Sequence, residues 1–539
     1  VIRSLLPALL LGALALAQDD KPLDFGSVTE RHEMIPMRDG KRLSTYLYVP
    51  AGRGPWPVLY EQRYASLRGE TTRRRYAKLA AEGYVVAAQN FRGTHKSEGV
   101  YQGYRALGFG KLRDGYDSVE WLAKQPFSTG KIGTFGGSQA GYAQNFLAVT
   151  RPPHLVAQFI TDGGLSLFHL GYRIGGVTRA QRFKAGMAVD ARDVNEGFAH
   201  LKDQLAHPDY DEWWHLENAA RHFDKMNVPA FILASWFDFM ARGSIDSYIG
   251  RHNQGGPDAR NRQWLIIGPW LHGGSKNSTK IGEVDLPASS GFDVEGHMIR
   301  WFDYWLKGKP TGVDKEPKVR YFVMGANEWR TAGDWPVPAR TSSYFLHADG
   351  KLATSAAAEG KAEFLSDPDN PAPSVGRSEP TARDGRAFEA HKDVRVFTSE
   401  PLTAPVEWTG DVGAEVWVSS SAKDTDVIVR VSDVYPDGRS ILLVQSIRRV
   451  SYRNGFEKRE LLEPGKPYKV TFNVGWLSQA FQPGHRIRIA VSSTMHDYYE
   501  PNPGTGENPT IDGPKTKLTA RNQLYFGGAR ASRILAPLH

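Results

Sequence analysis

Residues 131–141 read KIGTFGGSQAG. Residues 132–135 have the apolar run of a buried strand, Gly136 and Gly137 permit a sharp reversal, and Ala140 and Gly141 keep the start of a following helix slim. Small residues on both sides of Ser138 allow a strained strand-to-helix turn that lifts its hydroxyl above a sheet edge. The backbone N–H that follows such a serine points to where a negative oxygen can be held. The pattern departs from G-x-S-x-G once: Ala140 stands where the second glycine belongs, and Gly141 follows one step later. Alone, the stretch fits a nucleophile turn and an ordinary glycine-rich turn equally, so the surrounding chain decides.

Upstream, HEMIPMRDGKRLSTYLYVP (32–50) alternates around Asp39-Gly40 as a hairpin. WPVLYEQRY (56–64), GYVVAAQNFRG (83–93), residues 155–161, VPAFILASWFD (228–238) and RQWLIIGPWLHGG (262–274) are near-continuous apolar runs, most of them ending at polar residues. Between them lie helical patterns, among them residues 75–81, DGYDSVEWLAKQ (114–125) and GFDVEGHMIRWFDYWLK (291–307). Strands that are apolar throughout and alternate with helices predict a sheet covered on both faces, an α/β architecture. Residues 165–225 change character, becoming rich in Arg, Asp, His, Trp and Phe at helical spacing. They predict a helical cap over the C-terminal ends of the strands. From about Lys318, short alternating runs such as VRYFVMG, GAEVWVSSS, DVIVRVSDVYPDG and RIRIAVSS are punctuated by Gly, Pro, Asp and Asn, predicting an all-β jelly-roll sandwich with a long loop at 366–386. The expected division is a signal peptide at 1–17, the α/β domain at 18–162 and 226–317, the cap at 163–225 and the sandwich at 318–539.

The chain has 539 residues, a net charge of +8 and no cysteine. That length calls for several cores. The basic residues are scattered, so the charge predicts no nucleic-acid or membrane patch. The absence of cysteine rules out disulfides, thiolate metal sites and a cysteine nucleophile. Residues 1–20, VIRSLLPALLLGALALAQDD, place Arg3 before an apolar run closed by Ala15-Leu16-Ala17. This is the form of a secretory signal cleaved before Gln18, which predicts export to the periplasm or beyond and no membrane association afterwards.

A serine hydroxyl needs a base, and the base needs an orienting carboxylate. In α/β-hydrolases these follow in the order Ser, Asp or Glu, His, each just past a strand. Asp238 directly follows FILASWF and His272 directly follows LIIGPWL. Three suitable residue types in the required order, each at an inferred sheet edge, make Ser138, Asp238 and His272 the candidate catalytic residues.

The chain also resembles the cocaine esterase and X-Pro dipeptidyl peptidase group of α/β-hydrolases (CocE/NonD type). The likeness runs from about Glu30 to the C-terminus through DGKRLSTYLYVP, PVLYEQRY, GYVVAAQNFRGTHKSEG, DGYDSVEWLAKQPFSTGKIGTFGGSQAGY, HPDYDEWW, SWFDF, IGPWLHGG, RVFTSEPL, DVYPDGRS and PGHRIRIAVSS. It implies the same three catalytic residues, an oxyanion hole from the Gln139 N–H and the Tyr64 hydroxyl, and no metal or organic cofactor. Gln139 stands where relatives usually carry tyrosine. Relatives acting on α-amino acyl esters place carboxylates just after the triad Asp, where this chain has Phe239, Met240 and Ala241, leaving Asp162 as a candidate charge for a substrate. Trp236, Phe237 and Trp270 flank the candidate triad and are expected to line an acyl pocket. The expected substrate is a small carboxylic ester with an apolar or aromatic acyl group. An X-Pro dipeptide or other amide substrate, and a non-catalytic glycan- or partner-binding role, remain open, as does homo-oligomer formation.

Overall fold

The computed structural model describes residues 21–179, 190–374, 382–508 and 513–539. The expected signal peptide lies outside the described residues, as does part of the 366–386 loop. At the centre is a ten-stranded mixed sheet. Its order is Val28–Pro36, Arg42–Pro50, Val85–Asn90, Trp56–Arg63, Ser128–Gly137, Leu155–Thr161, Ala230–Phe237, Gln263–Leu271, Val319–Val323, Glu328–Ala332. All pairings from Val85–Asn90 to Val319–Val323 are parallel. Antiparallel strands close both edges.

Every residue of Val85–Asn90 and of Ala230–Phe237 is buried, because helices cover both faces. Glu70–Ala81 and Val294–Lys307 pack Tyr76, Leu79, Met298, Trp301 and Phe302 against Leu59, Val86, Phe135 and Phe231. Asp114–Ala123 and Gln139–Thr150 pack Val119, Leu122 and Leu147 against Val58, Val85 and Ile132 on the opposite face. Val294–Lys307 starts where the Asp293 carboxylate accepts from the Gly296 N–H and stops at Gly308, whose φ is +69°. Its buried residues, His297, Met298, Trp301, Phe302 and Leu306, recur every three or four positions, so one stripe faces the sheet.

The chain leaves this layer after Thr161 and returns at Ala230. In between it forms the cap, with a π-helical turn at Leu167–Gly171, the helix Val194–Ala206 capped by Asp193, and the short helical segments Glu212–His215 and Ala219–Lys225. Inside the cap, Glu217 is fully buried and neither carboxylate oxygen has a hydrogen-bond partner. Burial pushes Glu217 up to about 8 and pulls His200, whose Nε2 lies 3.7 Å away, down to about 3. Both groups are therefore neutral at pH 7. The folded state keeps a proton that the unfolded chain releases above about 4.5, so stability falls as pH rises from about 4.5 to 8. Glu217→Gln removes this cost. Thermal melts at pH 8 should show stabilisation on the order of 3 kcal/mol, with melts at pH 4 almost unchanged; equal gains at both pH values would contradict the assignment.

The last domain is a sandwich of a seven-stranded and a four-stranded antiparallel sheet. It begins later than the sequence predicts. Val319–Val323, expected to open the sandwich, pairs in parallel with Gln263–Leu271, and Glu328–Ala332 then closes the α/β sheet. A five-residue run that is apolar but for Arg320 reads the same in either sheet, and only its pairing partner distinguishes them. The sandwich grips the other layers through polar contacts: Arg242 to Asp411 at 2.6 Å, Trp476 Nε1 to Asp246 at 3.2 Å, and the Tyr452 hydroxyl to Asp209 of the cap at 2.8 Å.

Candidate active site

Ser138 joins the central strand Ser128–Gly137 to the helix Gln139–Thr150, with φ +55° and ψ −115°. A non-glycine residue held at positive φ stores roughly 1–3 kcal/mol of strain, which surrounding packing must fix. Two glycines make room for it. At Gly136 (φ +114°) a Cβ would fall 2.5 Å from Glu61 Oε1, and at Gly141 it would fall 2.6 Å from the Gly163 Cα. The second contact is backbone against backbone, which explains why glycine is needed at 141 while alanine is tolerated at 140.

Two neighbouring strand ends bring the partners. Asp238 follows Ala230–Phe237 and is buried, and its Oδ1 accepts from the Met240 N–H at 2.8 Å. His272 follows Gln263–Leu271. Its Nδ1 lies 3.0 Å from Asp238 Oδ1 and its Nε2 2.9 Å from Ser138 Oγ, so Nδ1 donates to the carboxylate and Nε2 is free to accept the serine proton. The Phe239 ring packs on the imidazole, centroid to centroid 4.7 Å. Burial pushes the Asp238 carboxyl up, the His272 ring counters it, and the nearby Asp162 carboxylate adds to the upward push.

Gln139 is the first residue of the helix, and its side chain has a use that no sequence pattern signals. Its Oε1 accepts from the backbone N–H groups of both Tyr64 and Ala65 at 2.9 Å, tying down the end of Trp56–Arg63. Tyr64 and Gln139 line one small pocket with Ser138, together with Tyr104, Tyr142, Leu167, Tyr172 and Met240.

With this geometry in place, residues 39–199 and 191–274 match the family of X-Pro dipeptidyl-peptidase (S15 family), and residues 311–535 match the X-Pro dipeptidyl-peptidase C-terminal non-catalytic domain. The chain belongs to the cocaine esterase and X-Pro dipeptidyl-peptidase family. It is a serine hydrolase of the CocE/NonD type. The cocaine esterase of a Rhodococcus species is 29% identical over 94% of this chain and 97% of its own. The crystal structure of an aminopeptidase from a marine-sediment Thaumarchaeota archaeon superposes with a TM-score of 0.83 at 25% identity, covering 96% of this chain and 97% of the other. An α-amino acid ester hydrolase shares the fold with a TM-score of 0.83 at 24% identity, covering 96% and 98%.

Of the expected substrate contacts, Phe237 and Trp270 lie in other surroundings, whereas Trp236 lines a cavity that Asp238 and Phe239 also border. Phe237 is buried in one apolar cluster with Ile281, Leu286 and Met324 and lines a pocket that does not include Ser138. Trp270 is fully buried, with Nε1 donating to the Ser290 carbonyl and its ring against Phe292 and Trp329. Trp236 donates through Nε1 to the Phe322 carbonyl, lies tilted against Trp335, and borders a larger cavity that Asp238 and Phe239 also line. Successive residues of a strand point to opposite faces, so Phe237, directly before Asp238, is turned away from it.

Asp162 sits beside the site but is already paired. Lys276 Nζ donates to Asp162 Oδ2 at 2.7 Å, to Ser235 Oγ at 2.9 Å and to the Leu271 carbonyl at 2.9 Å, while Ser235 Oγ donates to Asp162 Oδ1 at 2.7 Å. Asp162, Asp238 and His272 bring ligand-type atoms within 4.8 Å of one another, and Lys276 supplies from within the chain the positive charge such a group attracts. Lys276 and Ser235 are the participants that sequence reasoning missed. The lysine follows its histidine by four positions in a polar turn, where nothing distinguishes it from a solvated surface charge.

Proposed function

We propose that this chain is an exported serine esterase. Ser138 Oγ attacks the ester carbonyl carbon as His272 Nε2 takes the hydroxyl proton, and Asp238 holds the ring in the required tautomer. The tetrahedral oxyanion is held by the Gln139 N–H and the Tyr64 hydroxyl. Collapse breaks the bond to the alcohol oxygen, which leaves with the proton from His272, and an acyl-enzyme remains. Water then attacks this intermediate with His272 again as base, releasing the carboxylic acid and restoring Ser138.

The observation that carries this reading is the unbroken chain from Ser138 Oγ through His272 to Asp238 at 2.9 and 3.0 Å, set on a strained turn. Tyr104, Tyr142, Leu167, Tyr172 and Met240 around the serine favour an apolar or aromatic acyl group. Ester substrates are favoured over X-Pro peptides because a peptide N-terminus needs an anion, while Asp162 is engaged by Lys276 and Phe239, Met240 and Ala241 are apolar. The likeness to a protein named cocaine esterase points the same way.

A fluorophosphonate probe should label the protein at Ser138, and an unlabelled serine in active-looking, folded protein would overturn the mechanism. Side-by-side kinetics should give a higher kcat/KM for p-nitrophenyl butyrate than for a Gly-Pro anilide; the reverse order would make it a peptidase. Tyr64→Phe removes one oxyanion donor and should lower kcat by about 10²–10³ with little change in KM. Export rests on the Arg3-led apolar run and the Ala15-Leu16-Ala17 site, and N-terminal sequencing of the mature protein should begin at Gln18.

A further inference from the structure

The ladder of Trp56–Arg63 stops one residue short of Tyr64: the Arg63 carbonyl still accepts from the Phe91 N–H at 3.0 Å, and Tyr64 lies beyond it. A donor in an oxyanion hole must be held to within about 0.5 Å, and Tyr64 has to meet that demand past the end of its strand. A tyrosine hydroxyl also sits at the tip of a long, rigid side chain, so a small tilt of the backbone is magnified at the oxygen.

All four polar backbone groups of the Tyr64-Ala65 pair are bound by side chains from other elements. Gln139 Oε1 accepts from both N–H groups at 2.9 Å. His95 Nε2 lies 3.0 Å from the Tyr64 carbonyl oxygen. A carbonyl only accepts, so this nitrogen carries a proton and donates it. Asp190 Oδ1, 4.0 Å from the same nitrogen, is beyond hydrogen-bond reach. Asn90 Nδ2 donates to the Ala65 carbonyl at 3.0 Å. These side chains come from the start of the helix Gln139–Thr150, the end of the strand Val85–Asn90 and the loop after that strand. The loop is itself anchored by the cap, where the Arg192 N–H donates to the Gly93 carbonyl at 2.8 Å. The Tyr64 ring meets Phe91 and Tyr104 edge-on, with centroids 5.9 and 6.3 Å away.

We propose, resting on the reading of Tyr64 as an oxyanion donor, that Gln139 and His95 are positioning residues of the oxyanion hole. They clamp the Tyr64 backbone from two sides so that its hydroxyl meets the developing charge. Gln139 offers one donor through its backbone N–H and places the other through its side chain, so a single residue sets the spacing between them. His95 ties the same tyrosine to a loop that the cap holds.

The test is steady-state hydrolysis of p-nitrophenyl butyrate by Gln139→Met and His95→Phe, each made in the parent and in Tyr64→Phe. A misplaced donor weakens binding of the transition state and spares the ground state. Gln139→Met should therefore lower kcat about 10- to 100-fold and His95→Phe about 3- to 10-fold, with KM changed by less than about twofold. Gln139→Glu keeps an acceptor oxygen and should retain most of the rate. In Tyr64→Phe no hydroxyl remains to be placed, so either substitution should change kcat by less than about twofold further. Equal fold losses in both backgrounds would overturn the clamp and leave the role of Tyr64 standing. An unchanged kcat in Tyr64→Phe alone would overturn that role and the clamp with it. A lower melting temperature with parental kcat per folded enzyme would make both side chains merely structural. The His95 arm decides the matter by itself if Gln139→Met does not fold.

Discussion

Ser138→Ala lowers the kcat for p-nitrophenyl ester hydrolysis by about 10⁴- to 10⁶-fold, the range expected when the nucleophile of a triad is removed. The fold should survive. The turn is set by Gly136 and by the close approach of Gly141 to Gly163, and neither needs the hydroxyl. Alanine occupies the same φ of +55° with the same strain, so the melting temperature should stay within a degree or two of the parent's. The residual rate reports what Gln139 N–H, Tyr64 and substrate positioning achieve without a nucleophile. Hydrolysis at the parental rate with retained fold would place the chemistry elsewhere in the molecule.

Lys276→Met has the second large effect, and it reads out in two ways. Lys276 and Asp162 are almost entirely buried, with side-chain exposures of 5% and 2%, and removing one partner leaves an uncompensated charge. Breaking such a pair costs roughly 3–5 kcal/mol, whereas removing both partners costs much less. The melting temperature should therefore fall in Lys276→Met and in Asp162→Asn, and recover in the double variant. The second readout is the acid limb of kcat/KM, which follows the ionisation of His272. In Asp162→Asn an unbalanced lysine disfavours the imidazolium, so the limb moves to lower pH; in Lys276→Met an ionised Asp162 favours the imidazolium, so the limb moves to higher pH. Shifts of about one pH unit are expected at this separation. A lysine that merely fills space would change stability and leave both limbs where they are.

These two residues also mark the limit of what the sequence conveys. The alternation of apolar runs with helical patterns is legible because a strand buried on both faces must be apolar along its whole length, and Val85–Asn90 and Ala230–Phe237 are buried at every position. The stripe of Val294–Lys307 is legible for the same local reason, the recurrence of buried positions every three or four residues. Asp238 and His272 stand out because polar residues that end such runs must lie at a sheet edge. Phe237 misleads because the pleat turns it to the opposite face from its neighbour Asp238, and the strand Val319–Val323 misleads because a short run that is apolar but for Arg320 carries no label for its sheet.

By itself, then, the amino-acid order determined the elements, their succession and the three residue types at strand ends, all properties of a few neighbouring positions. Only the tertiary structure decided which distant groups share a space. Lys276 meets Asp162 across 114 positions, and Gln139 holds the Tyr64 backbone across 75. Such encounters depend on strand order and domain docking. A charge in a polar turn has the same local sequence whether it ends in water or in the core; its partner is fixed only when the sheet has brought the two together.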